Sequence, residues 1–593
     1  MVTLGINAAF HDSSACIVRD GQLLAAVEEE RFTRIKHGKR PVPFSAYELP
    51  FHAIDYCLQV AGIHLSDVDQ VAYSFDPYLL TGGVKTAGAD VRIPLDLNEW
   101  DTADSQPWEG LFLSAIINAP GQLVDGYPHH LQKRFLGARA SDWDWHFVDH
   151  HLSHAASAYL PSPFGEAAVM VLDGRGEVAT TSYHIGRQQE LTRIGQVNLP
   201  HSLGLLYEAV TTYLGFLHSS DEYKVMALAS YGKPRYINAF RDMIALDGQG
   251  GYRIHDTRLE ARFGPARVRH APLTDLHFDI ARSLQYALEE TVLELALWLH
   301  NETKQRHLTL AGGVALNCVL NARLRDDGPF EQIWVQPAAG DSGTALGAAL
   351  YTDGRRRGEY DKTFVMEHAY WGPSYDDASI ALFLETAKVP HIRLENVAEE
   401  TAQLLADNWI VGWFQGAMEY GPRALGSRSI LASPILPEMQ ARLNAVKDRE
   451  DFRPVAPVVT EAEAPAWFTD ARPSPFMLFV NDVAPDKAAQ IPAVKHVDGT
   501  ARIQTVNRDQ NPVYYDLLRA FEKITGVPVL INTSFNTVGR PVVCTPRDAL
   551  ECFWTSPFDG LVMGSFLVTK RYGNETIRGH SHVQAASVVD ELP

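Results

Sequence analysis

In DHHLSHAASAY, His150 and His154 stand four residues apart in a helix-forming stretch, so their imidazoles share one face and can reach one metal ion. His151 points elsewhere. Two carboxylates can complete the set: Asp173 in VLDGRGE, just beyond the next strand, and Asp341 in AAGDSGTALGAAL, where glycines let the backbone come close. Two imidazoles, two carboxylates and open positions suit iron, manganese or zinc better than magnesium, which prefers oxygen ligands alone. A His pair on one helical face is often structural, and the acidic companions are what favour the metal.

Other segments offer seats for phosphate and nucleotide. LTLAGGVALNCVLNARL puts Gly312 and Gly313 at the end of a strand and Asn317 early in the following helix, which combines close backbone approach with a helix N-terminus. Gly340 opens a second such turn in GDSGTALGAA. In HSSDEYKVMALASYGKP, Glu222 can hold a ribose and Lys224 can neutralise a phosphate, with a solvated charge cluster as the plainer alternative. The second half carries a run of cations: Arg423 and Arg428 in EYGPRALGSRSI, Lys447, Arg449 and Arg453 in NAVKDREDFRPVAP, and Arg502 in TARIQTV. Arg offers bidentate donors and Lys a point charge, so a small phosphorylated substrate is the expected occupant. Asn532, Ser534 and Asn536 in NTSFN add neutral partners at alternating positions.

The elements that must position these groups read as α/β. Over the first 360 residues or so, short β-rich runs alternate with longer helical patterns, one from about residue 278 to 300. TLGINAAFHDSSACIVRDGQL and AVMVLDGRGEVATTSYHIGRQ each give strand, small-residue turn, strand, the paired hairpins with which actin-like ATPases grip a nucleotide. Residues 84–145 have weak periodicity and read as an insertion or lid, and the charged TDGRRRGEYDK after Tyr351 reads as a linker. A boundary near residue 365 gives units 1–365 and 366–593. The second is α+β, with strands expected in IVGWF, VAPVV, PFMLFV, VPVLINTSF and LVMGSFLV and a polar tail after about 571.

A chain of 593 residues exceeds what one core of roughly 250 to 300 residues holds, which also argues for two domains. A net charge of −20 opposes binding to a phosphate backbone, so nucleic acid is not an expected partner. Five cysteines with no CxxC pair fit reduced thiols in the cytoplasm. There is no signal-like start and no apolar run of ~18 residues, so neither secretion nor a membrane partner is expected.

With GINAAFHDSSA, EEERFTRIKH, HHLSHAASAY, GGVALNC, GDSGTALGAA, EYGPRALGSRSI, RPVAP, ARIQTV and NTSFN on the page, the chain resembles the NodU/CmcH family of carbamoyltransferases over nearly its whole length. The resemblance implies an actin-like (ASKHA) first domain similar to Kae/TsaD proteins, whose metal is held by the HxxxH helix and a later Asp, here His150, His154 and Asp341. Asp173 is a further candidate ligand. It implies a second domain similar to YrdC, whose KxR and SxN pairs match Lys447, Arg449, Ser534 and Asn536. The implied reaction takes carbamoyl phosphate and ATP to carbamoyl-adenylate in the second domain and delivers the carbamoyl group in the first to a hydroxylated small molecule. An antibiotic or other secondary metabolite is the first expectation and a nodulation-type oligosaccharide the second.

His11, with Asp12 beside it and Lys36 in ERFTRIKH, is the candidate for orienting the carbamoyl group or accepting the acceptor's proton. Iron is placed first as the resident metal, manganese and zinc next, with magnesium accompanying ATP. A homodimer is left open. Two other readings are a threonylcarbamoyl-type tRNA-modifying transferase, which the acidic charge disfavours, and a non-catalytic actin-like ATP-binding protein, which leaves the cations unexplained.

Overall fold

A computed structural model describes the chain except residues 39–48, 81–108, 126–134, 136, 189, 359–363, 538 and 571–593. The first half is a duplicated sheet. Strands β1 (Val2–Asn7), β2 (Ser14–Arg19), β3 (Gln22–Glu28), β4 (Gln70–Tyr73) and β5 (Asp144–Phe147) lie in the order β3-β2-β1-β4-β5. The first three form an antiparallel meander, and β4 and β5 add in parallel. In the second sheet, β6 (Glu166–Leu172), β7 (Ala179–Arg187) and β8 (Glu190–Asn198) form the meander, and His307–Ala311 and Gln332–Val335 add in parallel in the same order. This is the actin-like arrangement, and the two expected hairpins are β1–β2 and β6–β7.

Each sheet is followed by one helix that packs on the other sheet. Helix His150–Tyr159, after β5, lies against β6 and β7, while Ser342–Arg357, after the second sheet, lies against β1, β2 and β4. The two helices cross each other closely, because a Cβ on Gly347 would overlap the Ser153 carbonyl oxygen. That crossing brings His150 and His154 to the start of the helix carrying Asp341.

The second half is built on an eight-stranded mixed sheet with Val411–Phe414, Arg428–Ala432, Val529–Ser534 and Ala456–Thr460 at its centre. Its apolar core draws on residues from Ile380 to Val568. Among the described residues no helix is long and apolar enough to cross a membrane.

Three sequence expectations change. The charged TDGRRR is the end of helix Ser342–Arg357, where Arg355, Arg356 and Arg357 favour the negative pole of the helix dipole; part of the expected linker, 359–363, lies outside the described residues. PFMLFV is a strand only from Val480, and Phe476, Met477 and Leu478 are buried in the core of the first half. Of the expected lid, residues 84–108 lie outside the described residues, as does the expected tail, but Glu109–Ile117 and Ala119–Asp125 are helices whose Phe112, Ile116 and Leu123 belong to the core under the first sheet. A helix that is apolar on most faces shows no period, and burial is the reason it can be so.

The crossing makes a stability prediction. Gly347→Ala should destabilise the protein by about 1–3 kcal/mol through overpacking and reduce its metal content, read by denaturant unfolding and elemental analysis. A variant of unchanged stability and metal content would refute the tight crossing.

Candidate active site

Four buried donors meet where the helices cross. His150 Nε2 lies 3.4 Å from Asp173 Oδ2 and 3.6 Å from Asp341 Oδ1, and His154 Nε2 lies 3.7 and 3.6 Å from the same atoms. These separations are long for hydrogen bonds, and both Nε2 atoms are buried without a hydrogen-bond partner. Ligands at roughly 2.0–2.2 Å from a tetrahedral metal stand roughly 3.3–3.6 Å apart, so the donor set fits an ion in both chemistry and spacing. Backbone groups hold His150 and Asp173 in place. Asp149 caps the helix through Leu152 N at 2.6 Å, His150 Nδ1 faces Ser74 O at 3.3 Å, and Gly313 N donates to Asp173 Oδ1 at 2.8 Å. Asp341 precedes its helix but makes no capping bond, which leaves its carboxylate to the cluster.

The first hairpin turn brings His11 to the same place. His11 Nδ1 lies 2.9 Å from Asp12 Oδ2 and 3.8 Å from Asp341 Oδ2. Burial opposes charge on both His11 and Asp341, but their attraction wins: the imidazole is held up at about 10 and the carboxyl well below the usual range.

A cavity of about 400 Å³ runs from this cluster into the second half. One part is lined by His11, Asp12, Lys36, Asp173, Gly313, Asn317, Gly340, Glu222 and Tyr223, and another by Arg423, Arg453, Ser534 and Asn536. Lys447 stands directly behind, 3.2 Å from Ser534 Oγ and 2.8 Å from Asn536 Oδ1. Burial and neighbouring cations pull Lys447 well down from its usual range, and Arg423 and Arg449 down to about 9. Arg502 presses on both arginines, and the Nε atoms of Arg423 and Arg502 are buried without partners. The cation cluster stores repulsion that an anion would relieve.

Some expected residues are occupied elsewhere. Arg428 is fully buried, donates to the carbonyls of Pro373, Gln415, Gly416 and Ser427, and covers the Phe414 ring at 3.7 Å, so it holds the sheet and no phosphate. Asn532 donates to Ala424 O and Gln504 Oε1 at 3.0 and 2.7 Å. Asn317 lines the cavity, but its amide is paired with Gln285 at 2.8 and 3.2 Å. Lys224 pairs with Asp221 and Glu450 at 3.2 and 2.8 Å and does not line the cavity. Gly312, at φ +92°, lets the turn pass Leu172 O and is not a lining residue.

Two residues escaped the sequence reading. Glu177 accepts from His150 N at 2.9 Å and Asp76 N at 2.7 Å, fixing the start of helix His150–Tyr159; its place in the second hairpin turn was the available signal. Tyr223 lies under the Arg453 guanidinium at 4.7 Å, a contact between halves that no local motif announces.

Two family models match the chain. Residues 2–82 and 123–350 match the model described as carbamoyltransferase N-terminus, and residues 402–570 match carbamoyltransferase C-terminus. The chain belongs to the carbamoyltransferase family. This carbamoyltransferase is 40% identical over 586 residues to nodulation protein NolNO of Sinorhizobium fredii, covering 95% of this chain and 80% of that one. An uncharacterized Synechocystis protein, sll1178, is also 40% identical, over 96% of each chain. Nodulation protein U of Rhizobium tropici is 30% identical over 92% of each.

His154→Ala should bring the metal content of the carbamoyltransferase close to zero and abolish transfer while its circular dichroism stays native. Full metal content with normal turnover in that variant would sink the cluster as a metal site.

Proposed function

We propose that the protein is an ATP-dependent O-carbamoyltransferase that uses carbamoyl phosphate and works through carbamoyl-adenylate. The observation that carries this reading is one cavity joining a buried His/Asp cluster to a cation cluster in which a single carboxylate, Glu450 at 3.5 Å from Arg453, is outnumbered by Arg423, Lys447, Arg449, Arg453 and Arg502. A family member must bind an activated carbamoyl donor, and a dianionic phosphate suits Arg423, Lys447, Arg449, Arg453 and Arg502. Water hydrolyses carbamoyl phosphate to carbamate and phosphate, carbamate attacks the α-phosphorus of ATP with loss of pyrophosphate, and the acceptor hydroxyl then attacks the carbamoyl carbon, loses its proton and releases AMP. The adenylate supplies the leaving group that carbamate lacks, and fixed cations stabilise the charge that develops on phosphate oxygens.

In this reading residues 366–593 form a YrdC-like domain that makes the adenylate, and residues 1–365 form the domain that spends it. Glu222 Oε1 is buried without a partner, and burial holds its carboxyl above the usual range, which suits acceptance of ribose hydroxyls. Met226, Leu288 and Val314 offer an apolar wall for the base. A metal ion held by His150, His154, Asp173 and Asp341, with iron the first choice, would supply Lewis acidity and a template for the adenylate phosphate. His11, held charged beside Asp341, orients the carbamoyl group by donating to it. Free, buried cysteines fit a reducing cytoplasm. The names of NolNO and nodulation protein U add oligosaccharides to the acceptor panel beside antibiotic-type metabolites.

Pyrophosphate release that depends on carbamoyl phosphate tests the scheme. Arg449→Ala or Arg502→Ala should lower it by at least roughly tenfold to a hundredfold, since a charge-assisted contact is worth about 1.5–3 kcal/mol. His11→Ala should leave that step largely intact and block delivery. Synthetic carbamoyl-adenylate should restore transfer in the Arg variants and not in the His11 variant; rescue in the opposite pattern reverses the domain roles.

A further inference from the structure

The loop that carries Arg449 and Arg453 belongs to the second half, yet it rests on helix Glu222–Ala229 of the first. Tyr231, just beyond that helix, donates its hydroxyl to Phe452 O at 3.2 Å, and the Phe452 ring packs against the apolar core of the first half. The Tyr223 ring lies 4.7 Å from the Arg453 guanidinium. Lys224 Nζ meets Glu450 Oε1 at 2.8 Å. The hydrogen bond, the apolar surface and the ring face dock the loop without Glu450, so the ion pair has another consequence.

Glu450 is a carboxylate among cations. Its Oε2 is 3.5 Å from Arg453 Nη1, and Arg449 precedes it in the chain. A glutamate side chain that is 35% exposed is free to swing, and closing the remaining gap to Arg453 would put a negative charge where the phosphate of a substrate must sit. Lys224 opposes that movement from a fixed place. Its side chain is 13% exposed and is tied to Asp221 Oδ2 at 3.2 Å, an oxygen that also accepts from Leu217 N at 3.2 Å. The ammonium stands 5.6 Å from the centre of the Phe216 ring, which adds a cation–π contact. A cation anchored this way on the first half gives Glu450 a partner that does not move with the loop.

We propose that Lys224 is a positioning residue for the anion site of the second half: it holds Glu450 off Arg449 and Arg453, and so keeps both guanidiniums open to the phosphate of the substrate. This rests on the reading of the cation cluster given above, and it gives Lys224 a role other than the expected contact with a nucleotide phosphate. Paired with lysine, Glu450 contributes little field at the cluster; unpaired, it repels an incoming dianion and competes for its donors.

The test uses the full-length protein and inorganic phosphate, a product that the same cations must hold, with its dissociation constant read by isothermal titration. The quantity compared is the binding that Arg449→Ala removes. Lys224→Met should weaken it by about tenfold, as the released carboxylate turns onto the arginines. The KM for carbamoyl phosphate should rise by a similar factor, while kcat and the KM for ATP move by less than about twofold. The decisive comparison removes the carboxylate as well. Glu450→Gln should bind phosphate at least as tightly as the wild type, and in that background Lys224→Met should weaken binding by less than about twofold, because no carboxylate is left to turn. Unchanged phosphate binding in Lys224→Met overturns the proposal. So does an equal loss in both backgrounds, which makes Lys224 a plain charge or a docking contact, and so does a rise in the KM for ATP that Glu450→Gln does not relieve, which returns Lys224 to the nucleotide. A wild type that binds no phosphate takes the reading of the cation cluster down together with the proposal. A wild type that binds phosphate but makes no carbamoyl-phosphate-dependent pyrophosphate refutes the adenylate scheme alone, and the titrations still decide the role of Lys224.

Discussion

The rest of the structure depends on keeping two carboxylates and two imidazoles together out of water. Asp173, Asp341, His150 and His154 are all buried, and removing a charge from water costs several kcal/mol per ion unless partners compensate it. The fold concentrates compensation there. Two helices that belong to different sheets must cross closely enough for Gly347 to face the Ser153 carbonyl, and the turn at Gly312 and Gly313 must pass near enough for a backbone N–H to hold Asp173. Both glycines of the sequence motif therefore act on the cluster through the backbone, one by geometry and one by donation. Glu177 applies the same logic at the helix start, where an acceptor satisfies an otherwise orphaned His150 N–H.

The second half is fixed to this centre by a smaller buried pair. Glu28, at the end of β3, faces Arg31 at 3.1 and 3.2 Å, and between them they take both backbone groups of Gly421, the N–H on Glu28 and the carbonyl on Arg31, each at 2.7 Å. Gly421 sits at φ +114°, and Arg423 follows two residues on, at the cavity. Arg34 adds contacts to Pro541 O and Val542 O at 2.9 and 2.6 Å, beside the wall that holds Ser534 and Asn536. The residues read from sequence as EEERFTR are thus largely a clamp between halves. Their buried charges carry geometry more than stability, since a buried ion pair seldom outweighs its own desolvation by much.

Local chemistry was legible where it rests on spacing or on turn composition. The HxxxH helix, both hairpins and the GG turn could be read because their period and their glycines are set by the backbone alone. What the sequence could not separate was one arginine from another. Arg423 and Arg428 share a motif and stand five apart, yet one faces the cavity and the other is spent on four carbonyls within the sheet, a difference set by a strand pairing with no local sign. The same holds for Asn532 and Ser534, which a strand's period puts on one face, yet Asn532 is closed off by Ala424 O and Gln504 while Ser534 and the following Asn536 line the cavity. Lys224 was legible as a charged residue near a nucleotide seat, but its partner Glu450 comes from the other half.

Duplication followed by divergence explains why the two hairpin turns reach one centre in different ways. The β1–β2 and β6–β7 turns occupy equivalent places in equivalent sheets, and each points acidic and polar side chains at the helix crossing. From the second turn Asp173 enters the buried cluster directly, and its oxygen is fixed by a backbone donor. From the first turn His11 approaches only the rim, partly exposed, with Asp12 turned back to hold it. A buried carboxylate with a fixed oxygen suits a ligand, and a half-exposed imidazole suits a group that must meet what enters the cavity. The two turns have become different tools because one is sealed by its sheet and the other opens on the cavity.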